Sequence, residues 1–167
     1  VVRVQSDGAK GSIGSINIDN CVLTDIGSYG VLQTKVSGFT LNSVSLSNST
    51  VNTLSAGGVL VTQQNNVHIS IDACTFYNCV ATGKSFIDIN KMSNVTVDVK
   101  NTIIGQLYSY TAESTIKATS VKGIATTTNL FTTTDCPYNS GYEWGEILSV
   151  SSTELFVNPA EGDFHIQ

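Results

Sequence analysis

One pattern recurs five times along this chain: a short alternating strand, a small polar residue, and a second apolar pair. It reads SINIDNCVL at Ser15–Leu23, GFTLNSVSL at Gly38–Leu46 and HISIDACTF at His68–Phe76. It returns as TVDVKNTII at Thr96–Ile104 and GIATTTNLF at Gly123–Phe131. The closing residues, Leu23, Leu46, Phe76, Ile104 and Phe131, stand 23, 30, 28 and 27 residues apart. A β-rich unit of this size cannot bury its apolar face alone, so units must stack on one another. A further strand follows each unit, at Tyr29–Thr34, Gly57–Gln63, Lys84–Asn90, Glu113–Thr119 and Gly145–Val150. Small polar residues and glycine fill the turns between them, and no stretch carries the 3.6-residue period of a long helix.

The expected fold is all-β: a right-handed parallel β-helix of about five to six coils over residues 1–150, with residues 151–167 as its capping segment. Alternation places Ile16, Ile18, Leu23, Phe39, Leu41, Leu46, Ile69, Ile71, Phe76, Val97, Val99 and Ile104 inward. Asn20, Ser43, Ala73, Asn101 and Thr128 follow the first strands and are expected at the bend between two sheets, where stacked amides form ladders. The competing architecture is an antiparallel sandwich. Sandwiches want hairpin turns such as Asn-Gly or Asp-Gly, and the one Asp-Gly pair, Asp7-Gly8, lies before the first repeat. In the ending NPAEGDFHIQ, Asn158-Pro159 leaves the helical path and Gly162 turns the chain. Leu155-Phe156 is expected where a sixth coil would close, with Phe164 and Ile166 folding back over exposed core.

At 167 residues the chain suits one domain with a real core. Apolar residues make up 41% and charged ones only 13%, with Ser, Thr, Asn and Gly in their place. That mixture points to an extracellular or cell-surface β protein. A net charge of −5, with Arg3 the sole arginine, argues against nucleic acid and against electrostatic binding to anionic membranes. No apolar run approaches the roughly 20 residues of a membrane-spanning helix. The chain starts without Met or a signal peptide, so we expect it to be a mature or trimmed piece with other domains N-terminal to it. Cys21, Cys74, Cys79 and Cys136 have no metal-finger spacing. Cys21 and Cys74 fall two coils apart, beyond disulfide reach, so buried free thiols are expected.

The stretches INIDNCVLTDIGSYGVLQT, VSLSNSTVNTL, ISIDACTFYNC and VKNTIIGQL resemble the coils of pectin-lyase-like right-handed β-helix proteins. The ending SSTELFVNPAEGDFHIQ resembles the C-terminal signature of many of them. The chain looks most like the uncharacterised C-terminal β-helix domain of secreted surface proteins in gut Bacteroidetes. That superfamily holds lyases, hydrolases and non-catalytic members, and fold alone does not choose among them.

A lyase of that class uses calcium on clustered carboxylates and a basic residue as proton acceptor. The outward column Asp19, Asn42, Asp72, Lys100 is the candidate here, but Asp19 and Asp72 stand about 9.6 Å apart by stacking, too far to share one ion. No cofactor is therefore expected, calcium being the one ion such a column would invite. The aspartate motifs of polygalacturonases are missing, and Asp88 lacks an acidic partner in the neighbouring coils. His68 and His165 share no motif with a nucleophile. Aromatic loops are the better lead, because sugar rings stack on Tyr and Trp. Tyr108 and Tyr110 follow the fourth unit; Tyr138, Tyr142 and Trp144 follow the fifth, with Glu143 and Glu146 as acceptors for sugar hydroxyls. The two loops are expected side by side as a carbohydrate-binding patch, although Trp144 can equally pack as a lid on the solenoid edge. The reading is a non-catalytic surface domain that binds or presents to polysaccharide. The alternatives are a lyase or hydrolase fragment and a structural or adhesion spacer.

Overall fold

The structure is a computed structural model and describes residues 1–4, 10–36, 38–55, 57–90 and 92–167; Asp7-Gly8 lies outside the described residues. The chain winds into a parallel β-solenoid of about four turns. Each of the first four layers contributes three strands. The first holds β1 (Val2–Val4), β2 (Gly11–Asp19) and β3 (Val22–Ile26); the second, β4 (Leu32–Thr34), β5 (Phe39–Ser47) and β6 (Thr50–Leu54). The third holds β7 (Leu60–Thr62), β8 (His68–Asp72) and β9 (Thr75–Ala81); the fourth, β10 (Ser85–Asp88), β11 (Thr96–Ile104) and β12 (Leu107–Tyr108). The fifth holds β13 (Lys117–Thr119) and β14 (Ala125–Thr132), and the two-residue β15 (Glu146–Ile147) stacks on the end of β14. Strands β1, β4, β7, β10 and β13 stack into one wall. The second wall is β2, β5, β8, β11 and β14, and the third is β3, β6, β9, β12 and β15; β11 joins these two walls by pairing with both β8 and β9. Every pairing in the walls is parallel, which excludes the sandwich.

The true register is more regular than the sequence spacing indicates. Ile18, Leu46, Ile71, Val99 and Thr127 form one column, at intervals of 28, 25, 28 and 28 residues. Leu46 is thus the counterpart of Ile18, and Val51 is that of Leu23. The cause lies inside β2 and β5. Their apolar residues break alternation once, at Ile13/Ile16 and Leu41/Val44, and the extra residue shifts the phase. The bend column is likewise Asn20, Asn48, Ala73, Asn101 and Asn129, all left-handed with φ between 47° and 53°; Thr128 lies one residue before it, and Ser43 lies inside β5, five residues before it. Asparagine tolerates this conformation because its short amide bonds locally. Asn129 Nδ2 donates to Asn101 Oδ1 at 3.0 Å, and Asn101 Nδ2 donates to Asp72 Oδ1 at 2.9 Å. After each bend a small or apolar side chain turns inward: Cys21, Ser49, Cys74, Thr102 and Leu130. This is where two of the cysteines belong. All four are free.

Isoleucine, leucine, valine and phenylalanine fill the interior, with Phe76 and Phe86 edge-to-face at 4.8 Å. The first layer is covered on one side only, so Ile13, Ile16, Ile18, Leu23 and Ile26 are half-buried. The opposite end is closed by the segment after β14. It runs beside β13, where the Ala118 amide donates to the Tyr142 carbonyl, and then crosses the core to β15. Trp144 drops into the opening against Phe86, ring centroids 5.6 Å apart. Gly145 follows with φ 64°; a Cβ there would lie 2.2 Å from the Leu130 carbonyl oxygen, so only glycine permits this crossing.

The C-terminal residues take another route. Helix α1 (Ser152–Leu155) leads into an antiparallel pair, β16 (Phe156–Asn158) and β17 (Asp163–Ile166). These lie along the outside of the third wall. Phe164 packs against Tyr77 at 5.7 Å and Phe156 at 5.3 Å. Ile166 stays 63% exposed, so it does not cover core. Leu155-Phe156 closes no sixth coil.

Candidate functional site

The aromatic loops divide on burial. Trp144 is 5% exposed and Tyr138 9% exposed; both belong to the core, and Tyr138 bridges to Ile116. Neither can stack on a sugar without unfolding the closed end. Tyr108 is half-buried in β12, in register with Ala81, and Tyr110 is 36% exposed in the turn beyond it. The chain from 109 to 115 is an insertion without a counterpart in the fifth layer, because the Leu107 amide already bonds the Asp135 carbonyl. No aromatic contact among the described residues joins Tyr110 to Tyr142. The loops adjoin at their bases, where Thr115 Oγ1 donates to Asn139 Oδ1 and Ile116 bridges to Tyr138, but two of their aromatics, Tyr138 and Trp144, are buried.

What the fifth layer does present is Tyr142, half-buried beside β13. Two cations approach its ring, Lys122 Nζ at 5.0 Å and Lys117 Nζ at 5.3 Å from the centroid. Such contacts orient the ring electrostatically. Glu143 is exposed, and its Oε1 accepts the Gly141 amide at 2.7 Å. Its own amide, that of Gly141 and the nearby Lys122 hold the carboxyl below the usual carboxylate range. It is a fixed anion with one oxygen left for a hydroxyl donor. A shallow hollow of about 60 Å³ opens here, lined by Lys122, Gly123, Tyr142 and Glu143 among others. Glu146 is exposed in β15 and pairs with Phe131.

The outward polar column of the second wall is Asp19, Ser47, Asp72, Lys100; the register puts Ser47 where Asn42 was expected. Lys100 Nζ sits 3.4 Å from Asp72 Oδ2, and Asp19 accepts from Ser47 at 2.6 Å and Asn48 at 2.9 Å. Those two donors hold the Asp19 carboxyl below its ordinary value. His68 meets Thr96 at 2.7 Å and Asp98 at 3.7 Å on the same wall. These side chains satisfy one another on a flat surface. No group of three His, Cys, Asp or Glu suited to a metal ion occurs among the described residues.

The first wall carries groups that the repeat pattern did not single out. Its outward column is Arg3, Gln33, Val61, Asp88. Arg3 stacks 3.5 Å over the Tyr29 ring, and Arg3 Nε donates to Gln33 Oε1 at 2.9 Å. Its partner Tyr29 is 26 residues away and meets it only through the winding of the solenoid.

No curated protein and no solved structure matches the chain. A family described as a domain of unknown function (DUF5123) matches residues 69–167, from β8 to the end of the C-terminal hairpin. That span is more than half of the chain and holds the bends at Asn101 and Asn129, the tryptophan closure and the hairpin on the third wall, so the chain belongs to the DUF5123 family.

Proposed function

We propose that this solenoid is a non-catalytic, pectin-lyase-like module of a secreted or cell-surface protein of Bacteroidetes, and that it binds polysaccharide. The observation that carries the reading is the Tyr142 site: a partly exposed aromatic ring with Lys117 and Lys122 near it and the fixed carboxylate of Glu143 beside it. An aromatic face next to hydrogen-bonding groups of both signs suits a sugar ring, whose C–H face stacks while its hydroxyls pair. The surrounding walls are covered in short hydroxyl and amide side chains already bonded in place, such as Ser45 to Asn17 at 2.8 Å. Side chains already fixed in this way lose little entropy when they order a ligand.

Calorimetric titration with a panel of plant and host polysaccharides tests the reading. Tyr142→Ala is expected to weaken binding about tenfold or more, on the order of 1.4 kcal/mol. Failure of every polysaccharide to bind, or full affinity in Tyr142→Ala, contradicts it.

A further inference from the structure

We propose that the first wall carries a second contact site, a cationic groove that takes an acidic saccharide chain bearing carboxylates or sulfates. This rests on the polysaccharide reading and names the ligand class. The groove has a volume of about 380 Å³ and is lined by Tyr29, Gln33, Lys35, Val61, Lys84 and Asp88 among others. Val61 forms an apolar floor, 5% exposed. In a chain of net charge −5, this is a place where cations gather: Lys35 and Lys84 line the groove and Arg3 stands at its rim, against the single acid Asp88. Asp88 offsets only part of that charge, since its Oδ2 lies 3.9 Å from Lys35 Nζ and both side chains are well exposed to solvent.

The cations are also positioned. Arg3 is held by Tyr29 below it and Gln33 beside it, while no described residue accepts from its terminal nitrogens. That leaves the guanidinium fork, which matches a carboxylate or sulfate edge, facing solvent. Lys35 sits between Thr34 and Val36, whose carbonyls accept the buried Gln64 side-chain amide at 3.2 and 2.9 Å. This clamp fixes the backbone that presents Lys35. Tyr29 is 48% exposed and held at φ 89°, a conformation that L residues with large side chains rarely adopt. Strain of this kind persists where the fold over-determines it, and it clusters at ligand sites. Successive layers repeat every ~4.8 Å, so the column from Arg3 to Asp88 runs about 14 Å along the axis, an extended track and not a pocket for one small ion. Three of its four positions, Arg3, Gln33 and Val61, lie before residue 69, outside the stretch that the family model matches.

The test is affinity at low and high salt for three probes: a uronate polymer, a sulfated dextran and neutral dextran. At least one acidic polymer is expected to bind, weakening steeply with salt, and which one binds separates carboxylate from sulfate. Lys35→Gln/Lys84→Gln should weaken that binding tenfold or more with the melting temperature unchanged. Asp88→Asn should tighten it, and Tyr142→Ala should leave the preference for acidic over neutral polymer intact. Acidic binding that survives Lys35→Gln/Lys84→Gln overturns the proposal, as does equal affinity for neutral dextran or for double-stranded DNA. Neutral binding that depends on Tyr142, with no acidic binding, overturns the groove and leaves the broader reading standing. No binding by any polymer removes both.

Discussion

The bend between the second and third walls is decided one residue at a time. Each layer needs a left-handed residue there, and four of the five layers use asparagine. Ala73 is the exception, with φ 53° and no side chain to bond its neighbours. Its exposure leaves room for an amide between Asn48 and Asn101. Ala73→Asn is therefore expected to stabilise the fold by about 1 kcal/mol, read as a higher urea midpoint; an unchanged or lower midpoint would show that the bend does not select its residue. The cysteines give a second residue-scale prediction. Burial pushes the Cys79 thiol up to about 12 and raises Cys136 and Cys74 as well, while Cys21 is half-buried. One thiol should react promptly with a disulfide reagent in the native protein, and all four after unfolding. Because the folded pKa of Cys79 lies above its unfolded value of 9.0, its contribution is complete below pH 9 and is lost between pH 9 and about 12. The loss is about 1.4 kcal/mol per pH unit for such a thiol. A urea midpoint equal at pH 8 and pH 10.5 would contradict this. The inward residues were legible here because alternation is local. The bend residues of the second and fifth layers were not: β5 contains the phase shift between Leu41 and Val44, and in ATTTNLF nothing distinguishes Thr128 from Asn129 until the neighbouring Asn101 is in register.

At the scale of elements, the tryptophan closure covers the end of the core while the C-terminal hairpin covers the outside of the third wall. The hairpin is pinned at its root by Asp135, which is 7% exposed. Its carboxylate accepts the Ser152 amide at 3.2 Å, the Ser152 hydroxyl at 2.9 Å and the Thr133 hydroxyl at 2.5 Å. Ser152 Oγ in turn accepts the Gln106 amide at 2.7 Å. Gly105 leaves the space: a Cβ there would lie 2.7 Å from Ser152 Oγ and 3.5 Å from Phe156 Cε2. Gly105→Val should push the hairpin off the third wall, costing roughly 1–3 kcal/mol and opening residues 156–167 to proteolysis while the layers stay folded. Protease resistance equal to that of the parent chain would sink the idea. Trp144 behaves differently, as the plug of the solenoid end. Trp144→Ala should cost about 3–5 kcal/mol, whereas Trp144→Phe should be nearly neutral, since the indole Nε1 is buried without an acceptor among the described residues. Thermal melts separate the two. Such roles were hidden from the sequence because the loops at 133–145 and 156–167 have no period, and an aromatic residue in an aperiodic stretch reads the same whether it is a plug or a platform.

At the scale of the whole molecule, the three walls differ in chemistry. The second is a lattice of mutually bonded Ser, Asn, Asp and Lys, and the third is partly covered by the hairpin. The first presents a cation stacked on a tyrosine at each end, Arg3 on Tyr29 and Lys117 with Lys122 on Tyr142, with the groove between Tyr29 and Lys84. The solenoid itself was legible from five imperfect repeats, because stacking is the only way such units bury their apolar side. The first wall was not, since it is assembled from residues about one turn apart whose meeting depends on the exact length of each layer. The direct measurement is a titration of the isotope-labelled protein with a uronate oligosaccharide, followed amide by amide in NMR spectra. Shifts concentrated at Tyr29, Gln33, Lys84, Lys117 and Tyr142 are expected. Shifts centred instead on Asp72, Asp98 and Lys100, or no shifts at millimolar ligand, would contradict the assignment of the first wall as the saccharide face.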